Sequence, residues 1–258
     1  MIRSGRCFYK GETGLKVKKY IFWGMMIVSV VAANISGCNL MSNEDRMEKA
    51  KELLEEKYQE EFDVLEYYGI INIENDEYQV LASAKNNSDI LFEARISAEE
   101  NYLSDEYITA KICRMMEEKM LQNLGGLNGY LKIKIQAVSK NIDSANSKMT
   151  IQEYMALKPS NLYAVYLHYS PQNGDVENLY ANLQNACQNM MDISGAMELY
   201  ILEEDKLKEV ARYLEDCAIL DDQYKTIVSE ITPIRIPFKK GIMEVTEEEF
   251  KKEVADKL

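Results

Sequence analysis

The chain has 258 residues, with 30 Lys+Arg against 43 Asp+Glu and one His, a formal net charge of −13. That acidity argues against nucleic acid as a partner, because a duplex or single strand is held by a basic face. One imidazole also leaves too few ligands for a zinc site without paired thiolates, and the chain has no CxxC. No metal site and no cofactor is expected.

The first segment is an address. Arg3, Arg6, Lys10, Lys16, Lys18 and Lys19 face one acid, Glu12, in residues 1–19. An apolar run of about 14 residues follows, Tyr20 to Ala33, and then small residues. This is the layout of a secretory signal. A spanning helix needs roughly 20 apolar residues, and extending the run to Gly37 takes in Asn34 and Ser36. An uncleaved signal anchor is therefore the alternative.

The run ends in Ile35-Ser36-Gly37-Cys38. This resembles the lipobox of bacterial lipoproteins: an aliphatic residue, two small residues and a cysteine. The resemblance implies that the Cys38 thiol receives a diacylglyceryl group. It also implies cleavage between Gly37 and Cys38, so that residues 1–37 are the signal peptide. The lipid bilayer is then a partner, and the chain sits on the outer face of the cytoplasmic membrane. Residues 38–258 carry 24 basic and 42 acidic residues, a net charge of −18. Wide contact with an anionic surface is unfavourable at that charge, so the acyl chains are expected to do the anchoring.

Residues 38–44 read as a lipidated tether. Ser42-Asn43 can cap a helix with Met47, Ala50, Leu54 and Tyr58 on one face. About five residues separate Cys38 from this helix, a reach of roughly 17 Å when fully extended. The domain is held close to the membrane.

Strands are predicted at 64–71, 77–84 and 90–97, a hairpin or three-stranded meander. Ile90, Phe92, Ala94 and Ile96 alternate with more polar neighbours, and "KNNSD" is turn chemistry. Ser104 is expected to cap a long helix with Ile108, Ile112, Met115, Met116, Met120 and Leu124 on one stripe. Gly125-Gly126 ends it. The segment 45–124, with "YQVLASAKNNSDILFEARIS" and "NYLSDEY", resembles uncharacterised exported proteins of Gram-positive bacteria, a resemblance that implies no activity.

The second half alternates. Strands are predicted at 130–139, 162–169 and 196–202, with a long edge strand at 224–238 because of Pro233 and Pro237. Thr150-Ile151-Gln152-Glu153 and Thr246-Glu247-Glu248-Glu249 are capping boxes. Two helices carry Val176 to Met190 and Leu207 to Cys217. The strand–helix units 162–191 and 196–218 are either parallel neighbours or halves of a ferredoxin-like unit. The fold class is α+β, with a small antiparallel sheet and flanking helices at 45–127 and alternating strands and helices at 128–258.

His168 lies on a strand among tyrosines, on the side of Leu162, Ala164 and Tyr166. A general base needs a positioned partner, and no GxSxG motif accompanies this one. Cys113, Cys187 and Cys217 sit on apolar helical faces as buried thiols; a Cys187–Cys217 disulfide is the alternative. Tyr163, Tyr166 and Tyr169 form either a recognition surface or ordinary strand packing. Acid pairs such as Glu99-Glu100 and Glu117-Glu118 could serve a glycosidase, but 42 acids make chance pairs common. "ENDE" (74–77) and "QNGD" (172–175) read as turns rather than calcium loops, and "LGGLNG" (124–129) as a helix stop. No residue is assigned a catalytic role. The expectation is a non-catalytic binding or accessory module of the cell envelope, with an envelope protein or ligand as partner; the alternative is an envelope hydrolase with a carboxylate-only site.

Overall fold

The computed structural model describes residues 41–257 apart from 75, 98–101, 128, 139–146, 158–161, 173–175, 177 and 191–192. Cys38, Gly37 and the signal segment lie outside the described residues, as does most of the "QNGD" loop.

Helix α1 (Asn43–Tyr58) opens on a capping box between Ser42 and Asp45 and buries Ala50, Leu53 and Leu54. Four strands follow: β1 (Phe62–Asn72), β2 (Glu77–Ala84), β3 (Asn87–Ser97) and β4 (Tyr102–Asp105). They form an antiparallel meander in chain order. Ile90, Phe92, Ala94 and Ile96 are all buried, as their alternation predicts. The Phe62 ring meets Phe92 and Tyr107 edge-on, with centroids 5.8 and 5.0 Å apart.

The meander has a fourth strand that the sequence reading missed. Ser104, expected as a helix cap, instead pairs with Arg95 in the β3–β4 ladder. Asp105 does the capping. Its Oδ1 accepts from the Tyr107 backbone N–H at 3.0 Å and from the Tyr58 hydroxyl at 2.8 Å, while Oδ2 meets Lys57 Nζ at 2.8 Å. A carboxylate one position later serves the same orphan N–H, which leaves Ser104 to the sheet.

Helix α2 (Tyr107–Asn123) leads to the second sheet. Its strands are β5 (Gly129–Ala137), β6 (Leu162–Pro171), β7 (Ser194–Ile201), β8 (Ile234–Lys239) and β9 (Ile242–Met243), in that spatial order. Among the described residues, only β6 and β7 pair in parallel. The two strand–helix units are therefore parallel neighbours. Helices α3 (Ile151–Leu157), α4 (Leu179–Gln188), α5 (Glu204–Glu215), α6 (Asp222–Ile227) and α7 (Glu247–Ala255) complete the chain. Both capping boxes form: Glu153 N–H donates to Thr150 and Glu249 N–H to Thr246.

The long strand expected at 224–238 is not one element. Asp221 caps a helical turn by accepting from the N–H groups of Gln223 and Tyr224, and Tyr224 is buried there. Strand structure starts only at Ile234, and the edge of the sheet is β9 rather than β8. The cap and the buried ring outweigh the β-branched composition of "YKTIVSEIT".

Helix α2 packs on β3 and on β5, so it lies between the strands of both sheets. One connected apolar core runs from Leu54, Phe62 and Phe92 through Met116 to Ile133, Val165, Met197 and Ile236. The opposite face of the second sheet is covered by a smaller cluster that includes Tyr200, Leu207, Val210, Tyr213, Cys217 and Tyr224. The result is the α+β architecture the sequence implies.

Candidate functional site

A cleft opens where β3, α2 and β5 come together, with Ala218 and Ile219 of the α5–α6 connection at one end. Its volume is about 140 Å³. Comparable cavities hold one small ring, so the space suits one side chain or a small group rather than a whole drug-sized ligand. Ile90, Phe92, Ala110 and Ile135 supply apolar wall, and Asp89, Glu93, Glu106, Arg114, Glu117, Lys134 and Gln136 supply polar groups.

Helical spacing explains part of this set. Glu106, Thr109, Ala110, Cys113, Arg114 and Glu117 fall on one stripe of α2. Arg114 pairs with Asp89 of β3 at 2.8 Å and with Glu117 at 3.4 Å. Glu117 Oε1 accepts from the Ile135 backbone N–H at 2.8 Å. That bond caps an N–H on the outer edge of β5 and ties α2 to the second sheet. Burial pushes the Glu117 carboxyl up from its ordinary value, against Lys134, the Ile135 N–H and Arg114. Glu93 is also raised, first by burial and then by the neighbouring Glu106, with Arg95 and the amide of Gln79 opposing. Gln79 Nε2 donates to Glu93 Oε2. Gln136 Nε2 is covered and makes no hydrogen bond among the described residues.

Such a cleft can receive an amine or amide on a short apolar stem. A cation there would favour the charged forms of Glu93 and Glu117, and Gln136 offers a donor. A raised carboxyl is also what a general acid needs.

Glu93 yields a measurable expectation. An acid with a raised folded pKa favours its protonated form. The penalty for ionising it is absent well below the ordinary carboxylate range and grows as pH rises through the raised value. Glu93→Gln keeps an oxygen for Gln79 and removes the charge. The variant is expected to melt higher at pH 7, by about 2–4 °C for each kcal/mol relieved. The advantage should vanish toward pH 4. Thermal unfolding across this range checks it, and a variant less stable than wild type at pH 7 contradicts the assignment.

The residues singled out in the sequence lie elsewhere. His168 is fully buried beneath the smaller cluster. Its Nε2 is 2.7 Å from the Tyr224 hydroxyl, and its ring stacks on Tyr200 at 5.3 Å. Burial pushes its pKa down to about 4, with the Lys132 backbone opposing. Tyr163 and Tyr169 are buried in the main core, so the three tyrosines do not form a recognition surface; strand alternation turns two of them inward. Cys113, Cys187 and Cys217 are all buried, and none is in a disulfide. Cys187 belongs to the main core and Cys217 to the cluster on the other face of the sheet, so that pairing does not form. Burial pushes the Cys187 thiol up to about 12.

Among the described residues, no three His, Cys, Asp or Glu side chains are grouped to hold a metal ion. No described helix is long and apolar enough to cross a membrane. Sequence reasoning missed the cleft. The usable signal was Glu117, an acid on the buried stripe of α2 between Met116 and Met120.

An α+β chain of two sheets bridged by one helix, with a small acid-lined cleft at the bridge, is the class the geometry defines. Against known proteins, no family model and no curated protein matches the sequence. A solved structure is similar in fold: a DUF5037 family protein from Ruminococcus gnavus, with a TM-score of 0.62 at 16% identity, covering 81% of this chain and 99% of that one. At that identity the likeness concerns the fold alone.

Proposed function

We propose that this chain is a lipid-anchored, non-catalytic binding module on the outer face of the bacterial cytoplasmic membrane. The observation that carries this is Ile35-Ser36-Gly37-Cys38 behind a basic head and an apolar run, with a capped helix starting at Asn43. The cleft between β3, α2 and β5 is the place for a partner's side chain. His168 sits fully buried in the aromatic cluster on the far face of the second sheet, which supports a role in packing.

The anchor is tested by mass spectrometry of the membrane fraction. Wild-type protein should begin at an acylated Cys38. Cys38→Ser should persist as a precursor 37 residues longer without acyl chains. Met1 on mature wild-type protein would restore the signal-anchor alternative. Crosslinking in cells should then recover a specific envelope partner with wild type and lose it with Cys38→Ser.

One observation favours a second reading, an envelope hydrolase. Glu93 and Glu117 are two raised carboxyls lining one cleft. If the protein cleaves an envelope glycan, and Glu93→Gln or Glu117→Gln abolishes the cleavage while the fold survives, the hydrolase reading displaces the binder.

A further inference from the structure

Strand β1 is an outer edge of the first sheet, and it is unusually apolar where it faces water. Leu65, Tyr68, Ile70 and Ile71 are exposed, and so is Ile73 in the turn that follows, to 80%. They are unevenly placed. The end of β1 near Phe62 carries Asp63 and Glu66, whereas the hairpin end toward β2 gathers three isoleucines.

That hairpin end lies beside the start of α1. Arg46 is buried and reaches Asp76 in the hairpin at 2.6 Å. The Tyr78 hydroxyl, at the start of β2, donates to the Arg46 carbonyl at 2.8 Å. Arg46 is in the first turn of the helix that Ser42 caps. At about 1.5 Å of rise per residue, Ser42 is roughly 6 Å along the axis from this junction. Only three residues lie between Ser42 and Cys38, so the chain from the acylation point spans at most about 14 Å. A lipid on Cys38 would therefore be tethered within about 20 Å of the junction that holds the hairpin end.

We propose that the β1–β2 hairpin end, with Ile70, Ile71 and Ile73, seats in the apolar edge of the bilayer beside the acylated Cys38. This rests on the lipid-anchor reading and adds an orientation to it. A lipid surface suits the patch better than an added strand does. The β1 register shifts at Val64/Glu66, Tyr67/Gly69 and Ile70/Asn72, and such bulges spoil an edge for pairing. Branched aliphatic side chains at a hairpin end need no partner backbone, only an apolar medium. Glu74 is exposed at the same end and Asp76 is paired to Arg46, so a neutral surface is preferred over an anionic one.

The test uses the full, processed and acylated protein in phosphatidylcholine vesicles containing doxyl-labelled lipid. Ile73→Cys carries a thiol-linked, environment-sensitive fluorophore, and Ile242→Cys on β9 is the reference site. The native thiols at 113, 187 and 217 are buried, which directs the label. Intact mass reports acylation independently. The expected result is a blue shift and loss of most of the fluorescence at residue 73, with little change at 242. An acylated protein with no quenching at 73, or equal quenching at both sites, overturns the proposal and leaves the anchor standing. Crosslinking of residue 73 to a second copy overturns it in favour of self-association. A protein without acyl chains overturns both readings together.

Discussion

Lowering the pH from 6.5 to 4 is expected to remove about 3 kcal/mol of stability through His168 alone. The imidazole's ordinary value is 6.5, and burial pushes it down to about 4 in the folded protein. The unfolded chain takes up a proton near pH 6.5 while the folded chain resists until pH 4. Neutral His168 therefore stabilises the fold above 6.5, and that contribution is lost as pH falls through the window. The surroundings explain the resistance. The ring is stacked on Tyr200, bonded to Tyr224, and placed opposite Lys132 in the β5–β6 ladder. Glu198 accepts from the Tyr200 hydroxyl at 2.9 Å, so its charge is already engaged. Denaturant unfolding of wild type and His168→Gln at several pH values measures the term as the difference between two curves. Carboxylates titrate in both proteins and cancel. The curves should converge on acidification, because only wild type has the extra slope. Parallel curves would show that His168 is not held neutral.

The same residue shows how far the sequence carries. Alternation in "LYAVYLHY" puts His168 on the face of Tyr166, and the structure agrees. What alternation cannot tell is which face is covered. Both are: the main core takes Tyr163, Val165, Leu167 and Tyr169, and α5 with α6 encloses the other side. Helix α6 was hidden because a six-residue helix has too little periodicity to outweigh "TIVSEIT". The cleft was illegible for a different reason. Its walls come from β3, α2, β5 and the α5–α6 connection, separated in sequence and joined only by packing. Charge at Glu93 and Glu117 is ordinary in an acidic chain until burial, and at Glu93 the neighbouring Glu106, pushes the carboxyl up. Cys38 is the reverse case: it lies outside the described residues, and its proposed acylation rests on a local motif alone.

Gly195→Ala is expected to cost about 3 kcal/mol or more, a large loss for one methyl group. Gly195 sits opposite Tyr163 in the parallel β6–β7 pair. A Cβ at 195 would lie 1.8 Å from the Tyr163 carbonyl oxygen and 2.9 Å from its carbon. Backbone cannot swing aside as a flexible side chain can, so the strands must part where the pairing partners Tyr163 and Phe238 are both buried. Strands pair at about 4.8 Å, and widening that spacing breaks ladder hydrogen bonds on β6 and strains the pairing of Gly195 with Phe238 on β8. The neighbouring packing is tight, since Tyr163 is buried and its hydroxyl donates to Met155 Sδ at 3.2 Å. Gly69→Ala separates steric conflict from backbone strain. Gly69 has φ +116° but nothing within 4 Å of the added carbon. That variant should lose only the conformational term, about 1–2 kcal/mol. Urea midpoints of the two variants against wild type decide the matter. If Gly195→Ala is no worse than Gly69→Ala, the close β6–β7 approach at residue 195 is not how the sheet is built.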